Sequence, residues 1–351
     1  MLGDPGPESR KAHRARPWLR RIGTWALTIA LLGYVFYAVP LGRTWEAARS
    51  AGPAVVAVTL GYFLYSYAAD VLATWATFRW YCAPLPLREV VAIRGATYLL
   101  AVVNYNLGQG GIVYVVGRKQ GVGLARATGT VLLTMGVMLV ALLVLAGAGS
   151  VLGPAGDPRL GLMRLVCAVG LALFVAYLAV IAVRPARLAS WGALGPLFDA
   201  GLRGHAAAWL VRFPHVAGHV LFQWWLLRLF RVDISLAAAA TLLPVIFVIG
   251  WLPITVQGLG TQQLAAMELL GPYVVAASAE LQHARVVAFS LTLSLLFTLC
   301  SVLTGLLWLG RVWAELTPAA PSPADAAAER SASRTAPASA GPGPDRGAGA
   351  A

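Results

Sequence analysis

The chain contains few charged residues, and this scarcity limits the class of protein to which it belongs. Asp, Glu, Lys and Arg make up 12% of its 351 residues, whereas soluble domains carry roughly a quarter. Hydrophobic residues make up 59%, and the mean hydropathy is +0.72. These values exclude an ordinary soluble domain and predict an all-α, polytopic membrane helix bundle.

Cysteines and enzyme motifs are also scarce. The three cysteines, Cys82, Cys167 and Cys300, lie far apart, so their spacing fits neither a disulfide framework nor a zinc site. The sequence shows no catalytic triad pattern, acidic metal cluster or nucleotide-binding loop. We therefore predict no catalytic residues, no metal and no cofactor, and we do not predict an enzyme.

The charges that are present have an excess of one sign. The net charge is +13, and residues 1–21 form a basic segment before the first apolar run. A basic flank of this kind is typical of a cytoplasmic anchor near anionic lipid, so we predict no binding of nucleic acid. Residues 317–351 are rich in Ala, Pro, Ser and Gly and cannot bury a core, which predicts a disordered tail.

Between these two segments, residues 22–316 form the predicted transmembrane domain. A hydrocarbon core of about 30 Å needs about 20 helical residues, and about six apolar segments approach this length. They predict spans in a bacterial inner membrane with both termini cytoplasmic, and Arg79, Arg88 and Arg94 are interpreted as returning the chain to the cytoplasm after the second span. The predicted spans are 22–39, 53–78, 128–148, 162–183, 206–230 and 285–309.

Two apolar stretches are interrupted by Gly, Asn, Gln and Pro. Residues 90–103 are too short to span and lead into NYNLGQGG at 104–111, where we predict a turn. Residues 252–263, LPITVQGLGTQQ, separate the apolar segments 236–252 and 259–275. Since helix breaks at membrane depth are tolerated where they line a cavity, the pattern predicts two re-entrant helical hairpins, one from each side. The alternative is that the segments flanking residue 252 are full spans.

The order of segments suggests two related halves, 22–149 and 160–313. Each would contain two spans, a hairpin and a further span, with opposite orientation in the membrane. Inverted repeats with paired broken helices near the midplane are the architecture of alternating access. An inverted repeat is therefore a hypothesis for this chain.

The two interruptions resemble the signatures of the lysylphosphatidylglycerol synthase transmembrane family. The family shows a proline followed by G-x-G-x-x-E, which falls here on Pro253, Gly258 and Gly260, with Gln263 in place of the glutamate. Its earlier signature is similar to Leu107–Ile112 followed by Arg118 and Lys119. The resemblance covers residues 18–313 and implies that the protein moves or presents a lipid head group across the bilayer.

Polar residues in and near the interruptions are the candidate lipid-binding residues. Amide side chains and glycines there could bind a phosphate or sugar head group, assisted by the free amides of a helix starting near residue 260. The alternatives are contacts between packed helices, turn formation and, for the basic pair, an interfacial anchor. The candidates are Asn104, Asn106, Gln109, Gly110, Gly111, Arg118, Lys119, Pro253, Gln257, Gly258, Gly260, Gln262 and Gln263.

Ionisable residues inside apolar helices form a second set of candidates, because such residues are rare within membranes. Asp70 and Glu268 are candidates for an ion relay, and the alternative for Asp70 is an interfacial position or a pair with a nearby Arg. His215 and His219 have the spacing of two metal ligands but lack a third. We interpret them, with Arg212, as a polar face of their helix.

The predicted function is that of a flippase-like lipid translocase with membrane lipid as its partner. The alternatives are a scaffold for a glycosyltransferase or other lipid-processing enzyme, and a membrane enzyme acting on head groups. Aminoacyl-phosphatidylglycerol, a polyprenyl-phosphate-linked sugar and a hopanoid all remain compatible with the sequence.

Overall fold

The structure is a computed structural model that describes residue 26 and residues 29–37, 39, 41–153, 156–252, 254–255 and 258–316. The predicted basic segment 1–21, the tail 317–351, Pro253 and Gln257 lie outside the described residues. The described part is helical, with one isolated β-bridge between Val232 and Val274. The all-α prediction is confirmed.

Ten labelled helices follow residues 29–37, which are helical as well. Single helical turns lie at Ala186–Ala189 and Gly271–Tyr273, between the longer helices. The ten are α1 (Leu41–Ser50), α2 (Ala54–Tyr81), α3 (Leu87–Val103), α4 (Tyr105–Gln120), α5 (Leu124–Leu152), α6 (Pro158–Val183), α7 (Gly195–Leu229), α8 (Leu236–Trp251), α9 (Thr261–Leu270) and α10 (Ala279–Leu316).

Among the residues that the structure describes, four helices are long and apolar enough to cross a membrane, namely α2, α5, α6 and α10. They contain the predicted spans 53–78, 128–148, 162–183 and 285–309 almost entirely. The predicted span 206–230 falls within the longer helix α7, which carries several charged and histidine residues. These helices indicate a membrane protein.

Local sequence signals set several of the helix starts. Asp157 precedes α6 and its carboxylate accepts the Arg159 amide at 2.9 Å, followed by Pro158 at the first helical position. Ser235 precedes α8 in the same way, and its hydroxyl accepts the Ala238 amide at 3.2 Å. Each cap satisfies a backbone donor that the first helical turn cannot satisfy itself.

Helices α3 and α4 pack against each other as hairpin one. The chain reverses at a single extended residue, Asn104, whose side chain accepts the Asn106 amide at 2.8 Å. Residues 105–111 are already helical, so the predicted turn over 104–111 is too long. Gly108 allows the close packing, since a Cβ there would lie 2.8 Å from the Cβ of Ala101.

Helices α8 and α9 form hairpin two, and the predicted break between them is confirmed. Trp251 ends α8 and Thr261 begins α9. Gly258 and Gly260 adopt positive φ angles of 72° and 87°, which side chains other than glycine rarely tolerate. A Cβ on Gly258 would also lie 2.7 Å from the Cα of Gly250, so the loop folds back closely on α8.

The two hairpins point toward each other from opposite ends of the molecule. The open end of hairpin one lies in an apolar cluster with the end of α2 and Val312 of α10. The open end of hairpin two lies in a separate cluster with Phe230, Ile234 and Val274. The turns meet between these clusters, where the rings of Tyr105 and Trp251 stack with centroids 5.0 Å apart.

The long helices support the hairpins in a reciprocal way. Helix α5 follows hairpin one but packs against α8 of hairpin two, while α10 follows hairpin two but packs against α3 of hairpin one. Helices α2 and α7, which precede α3 and α8, pack along each other. Helix α6 contacts mainly α5, and its buried residues are Leu160, Cys167 and Ile181.

Candidate functional site

A cavity of about 220 Å³ lies where the two hairpin turns meet. Hairpin one contributes Tyr105 and Gln109, and hairpin two contributes Trp251 and Gln262. Apolar side chains such as Phe297 of α10 cover part of the wall, so the cavity is amphipathic. Its other polar side chains, mostly on α2, α3 and α7, include Tyr62, Ser66, Asp70, Arg94, Tyr98, His215, His219 and Gln223.

A buried ionic cluster forms one side of this cavity. Asp70 of α2 accepts hydrogen bonds from Arg94 Nε at 2.8 Å, from Arg94 Nη2 and from Arg212 Nη1 at 2.6 Å. Tyr98 donates to the same carboxylate at 3.3 Å. Asp70 and Arg94 are each 5% exposed and Arg212 is 2% exposed. The carboxylate therefore joins three helices, α2, α3 and α7.

The cluster carries an excess positive charge. One carboxylate faces two guanidinium groups, and Asp70 is the only carboxylate among the described residues that line the cavity. Within the described part of the chain, Arg212 Nε has no hydrogen-bond partner. A buried charge without a counter-charge is costly, and Arg94 borders the cavity directly. The site is therefore suited to an anionic group.

The proton position on His215 follows from its neighbours. Arg212 Nη1 lies 3.3 Å from His215 Nδ1, and Ser66 Oγ lies 3.0 Å from His215 Nε2. Because a guanidinium group can only donate, Nδ1 is the acceptor and the imidazole proton lies on Nε2. His215 then donates to Ser66, so it cannot remove the Ser66 proton as the base of a serine nucleophile would.

His219 makes a similar chain one helical turn further along α7. Gln223 Nε2 lies 2.7 Å from His219 Nε2, and His219 Nδ1 makes a short hydrogen bond with the Tyr62 hydroxyl. Gln223 Nε2 also lies 3.4 Å from His219 Nδ1, so these contacts join Tyr62, His219 and Gln223 in one hydrogen-bonded chain. The predicted polar face of Arg212, His215 and His219 is therefore a buried network that contacts α2.

Of the candidates predicted in hairpin one, Gln109 lines the cavity. Asn104 caps α4 at the turn, while Asn106 and Gly110 are exposed. Gly111 packs against α3, where a Cβ would lie 2.7 Å from Leu100 Cδ1. The structure thus brings one of these candidates to the cavity and gives Asn104 and Gly111 positions in the hairpin itself.

The basic pair at the end of α4 lies away from the cavity. Arg118 is exposed, and Lys119 Nζ lies 3.2 Å from a carboxylate oxygen of Glu89. This ion pair joins the end of α4 to the start of α3 at the open end of hairpin one.

In hairpin two, Gln262 is the candidate that lines the cavity. Gln263 is fully buried, and its Oε1 accepts the Gly260 amide at 2.7 Å, so it caps α9. Gly258 and Gly260 shape the loop; a Cβ on Gly260 would lie 2.6 Å from Leu31 Cβ.

The two candidates for an ion relay have different surroundings. The alternative prediction that Asp70 pairs with a nearby Arg is confirmed, and the partners are Arg94 and Arg212. Glu268 is exposed on α9 and does not line the cavity.

Several cavity residues were missed by sequence reasoning. Arg94 was interpreted as cytoplasmic, but it is buried and paired with Asp70. Its position within the apolar stretch 90–103 was a signal, because an arginine there requires a counter-charge. Ser66, Tyr62 and Tyr98 gave no comparable signal, since hydroxyl side chains are common in membrane helices.

Compared with protein-family models and with curated proteins, the chain matches none. The resemblance to the lysylphosphatidylglycerol synthase transmembrane family therefore stays a hypothesis based on short motifs. Among the described residues, no group of three His, Cys, Asp or Glu side chains is placed to hold a metal ion.

Proposed function

We propose that this protein moves an amphipathic lipid across the membrane, with its head group in the cavity between the hairpins. The observation that carries the proposal is that both interrupted segments border the same amphipathic cavity, which contains buried polar side chains. Helix breaks inside a bilayer are tolerated at such cavities, and transporters place them at their binding sites. Hairpins one and two are then re-entrant, and residues 22–149 and 160–313 are inverted halves.

The reciprocal packing of the long helices supports inverted halves. In this arrangement α2, α3, α4 and α5 of the first half correspond in order to α7, α8, α9 and α10 of the second. The contact between α10 and α3 then corresponds to the contact between α5 and α8. Two such units can tilt about the contact between α2 and α7, which opens the cavity first to one side and then to the other. The motifs that resemble the lysylphosphatidylglycerol synthase transmembrane family lie on the two hairpins and agree with this function.

The experiment measures lipid transfer in proteoliposomes that contain a trace of phosphatidylglycerol with a fluorescent NBD-labelled head group. Dithionite bleaches label in the outer leaflet, so bleaching beyond that fraction reports transfer. Gln109→Ala and Gln262→Ala remove one cavity amide from each hairpin, and we expect each to slow transfer about tenfold, the effect of one lost hydrogen bond to a charged group. Gln120→Ala is the matched control, because it alters the same helix as Gln109 at the open end of the hairpin.

A scaffold for a lipid-processing enzyme would give a different result. Reconstituted protein would leave the inner-leaflet label protected, and the two cavity variants would equal Gln120→Ala. The enzyme alternative is not favoured by the Ser66–His215 pair, because the proton of His215 already points at the serine.

A further inference from the structure

The charge of the cavity narrows the lipid that it accepts. From the ionic cluster and the protons around it, we propose that the site binds a head group with a net charge of minus one, namely a phosphodiester that carries no cationic group. This inference rests on the proposed function and specifies its substrate class. Phosphatidylglycerol and a polyprenyl-phosphate-linked sugar share this chemistry, whereas a hopanoid without phosphate does not.

The first step is the count of charges. Arg94 and Arg212 contribute two positive charges and Asp70 contributes one negative charge, which leaves one positive charge. A phosphodiester carries one negative charge and balances it. A phosphomonoester carries about 1.5 to 2 negative charges at neutral pH, which leaves an uncompensated charge in a buried site.

The second step is that the histidines do not add to this count. Protonation of His215 on Nδ1 would place an N–H against the Arg212 guanidinium group, 3.3 Å away, which can only donate. Two donors, both positively charged, would then face each other in a buried position. His215 therefore stays neutral, and the cluster keeps a single excess positive charge.

The third step is the direction of the hydrogen bonds. Ser66 accepts the proton of His215, so its own hydroxyl proton is available to a ligand in the cavity that it lines. Tyr62 lines the same cavity, and its hydroxyl is hydrogen-bonded to His219. Together with the Arg94 guanidinium group, the Ser66 hydroxyl offers donors to the two non-bridging oxygens of a phosphodiester.

The test is competitive lipid binding measured by native mass spectrometry of the purified protein. Equimolar phosphatidylglycerol, polyprenyl phosphomannose, phosphatidic acid and phosphatidylcholine are offered together. We expect one or both phosphodiester monoanions to exceed phosphatidylcholine and phosphatidic acid by about tenfold, the effect of one charge-assisted hydrogen bond. The more occupied of the two identifies the source. Preference for phosphatidic acid, or equal occupancy by phosphatidylcholine, would overturn the inference.

Two variants test the charge and the hydroxyl separately. Asp70→Asn removes the only carboxylate among the described residues of the cavity wall and raises the excess charge to two, which should shift the preference toward phosphatidic acid. Ser66→Ala removes one donor with little change in volume, and we expect about a tenfold loss of monoanion occupancy. Ser150→Ala, another buried serine whose hydroxyl bonds its own helix at Gly147 outside the cavity, should leave binding unchanged.

If Asp70→Asn does not fold, Ser66→Ala decides the question. Full monoanion occupancy in Ser66→Ala would contradict the site. Selective binding without transfer in proteoliposomes would overturn the proposed function and leave the phosphodiester site standing. Equal transfer and equal binding of phosphatidylcholine and phosphatidylglycerol would overturn the phosphodiester site and leave the proposed function standing.

Discussion

Asp70 is the residue on which the buried network depends. It is 5% exposed and accepts hydrogen bonds from two arginines on different helices. A buried ion pair adds little net stability relative to apolar packing, but removing one partner leaves the other charge buried and unpaired. Asp70 thus fixes the relative positions of α2, α3 and α7 rather than strengthening the core.

The buried position of Asp70 predicts a large loss of stability on substitution, and Asp199 of the same chain provides a comparison. Asp70→Ala leaves two buried guanidinium groups, and we expect it to destabilise the protein by about 3–5 kcal/mol. Asp199 also pairs with two arginines, Arg126 and Arg184, each at 3.3 Å, but it is exposed. Asp199→Ala should cost less than about 1 kcal/mol. Denaturant unfolding in detergent measures both, and equal losses would contradict a buried role for Asp70.

A second residue pair predicts a dependence on pH. The Tyr273 hydroxyl donates to Asp157 at 2.6 Å, and this bond lowers the pKa of Asp157 below its ordinary value of 3.8 while burial raises the pKa of Tyr273 to about 12. A carboxylate whose folded-state pKa is lowered stabilises the fold above its unfolded pKa. That contribution is lost as pH falls below 3.8 through the folded value.

Tyr273→Phe isolates this contribution. We expect a lower thermal midpoint than the parent protein at about pH 6, with a difference that narrows as the pH falls below 3.8. Thermal unfolding of both proteins at several pH values is the measurement. A difference that stays constant down to about pH 2.5 would show that the Tyr273 ring, and not its hydroxyl bond to Asp157, is responsible.

Among the helices, the sequence predicted both breaks, but it located the break of hairpin two more accurately than the break of hairpin one. Hairpin two requires a loop with two positive-φ glycines, and glycine clusters signal such loops directly. Hairpin one reverses at Asn104 alone because that side chain caps α4. The glycines after it serve close packing of α3 and α4, a use of glycine that local sequence does not separate from turn formation.

Close helix packing predicts opposite effects for two glycines of α5. A Cβ on Gly149 would lie 2.5 Å from the carbonyl oxygen of Ala237 on α8, whereas a Cβ on Gly136 would meet nothing within 4 Å. Gly149→Ala should destabilise by about 1–3 kcal/mol, because the backbones must separate. Gly136→Ala should be neutral or stabilise by up to about 1 kcal/mol through helix propensity. Thermal unfolding in detergent compares the two, and a tolerated Gly149→Ala would contradict the tight contact between α5 and α8.

At the scale of the molecule, the cavity could not be derived from the sequence, although several of its residues were named. Asp70, Arg94 and Arg212 are separated by up to 142 positions, and their meeting depends on how α2, α3 and α7 pack. That packing is set by side-chain shape along whole helices, as at Gly218, where a Cβ would collide with the Tyr65 ring. Hydropathy predicts which helices are apolar, but it does not predict which helices pack against each other.

The opposite orientation of the hairpins gives the last prediction. The segment 120–123 lies at the open end of hairpin one, and the segment 274–278 lies with the open end of hairpin two. In a protein whose native cysteines are replaced, Gly123→Cys and Ala277→Cys place single thiols at these exposed positions. If the hairpins enter from opposite sides, a membrane-impermeant maleimide should label Ala277→Cys in spheroplasts and Gly123→Cys in inside-out vesicles. Both should react after permeabilisation, which controls for access to the thiol. Labelling of both from one side would place the hairpins in the same leaflet, and the two halves could not then be inverted copies.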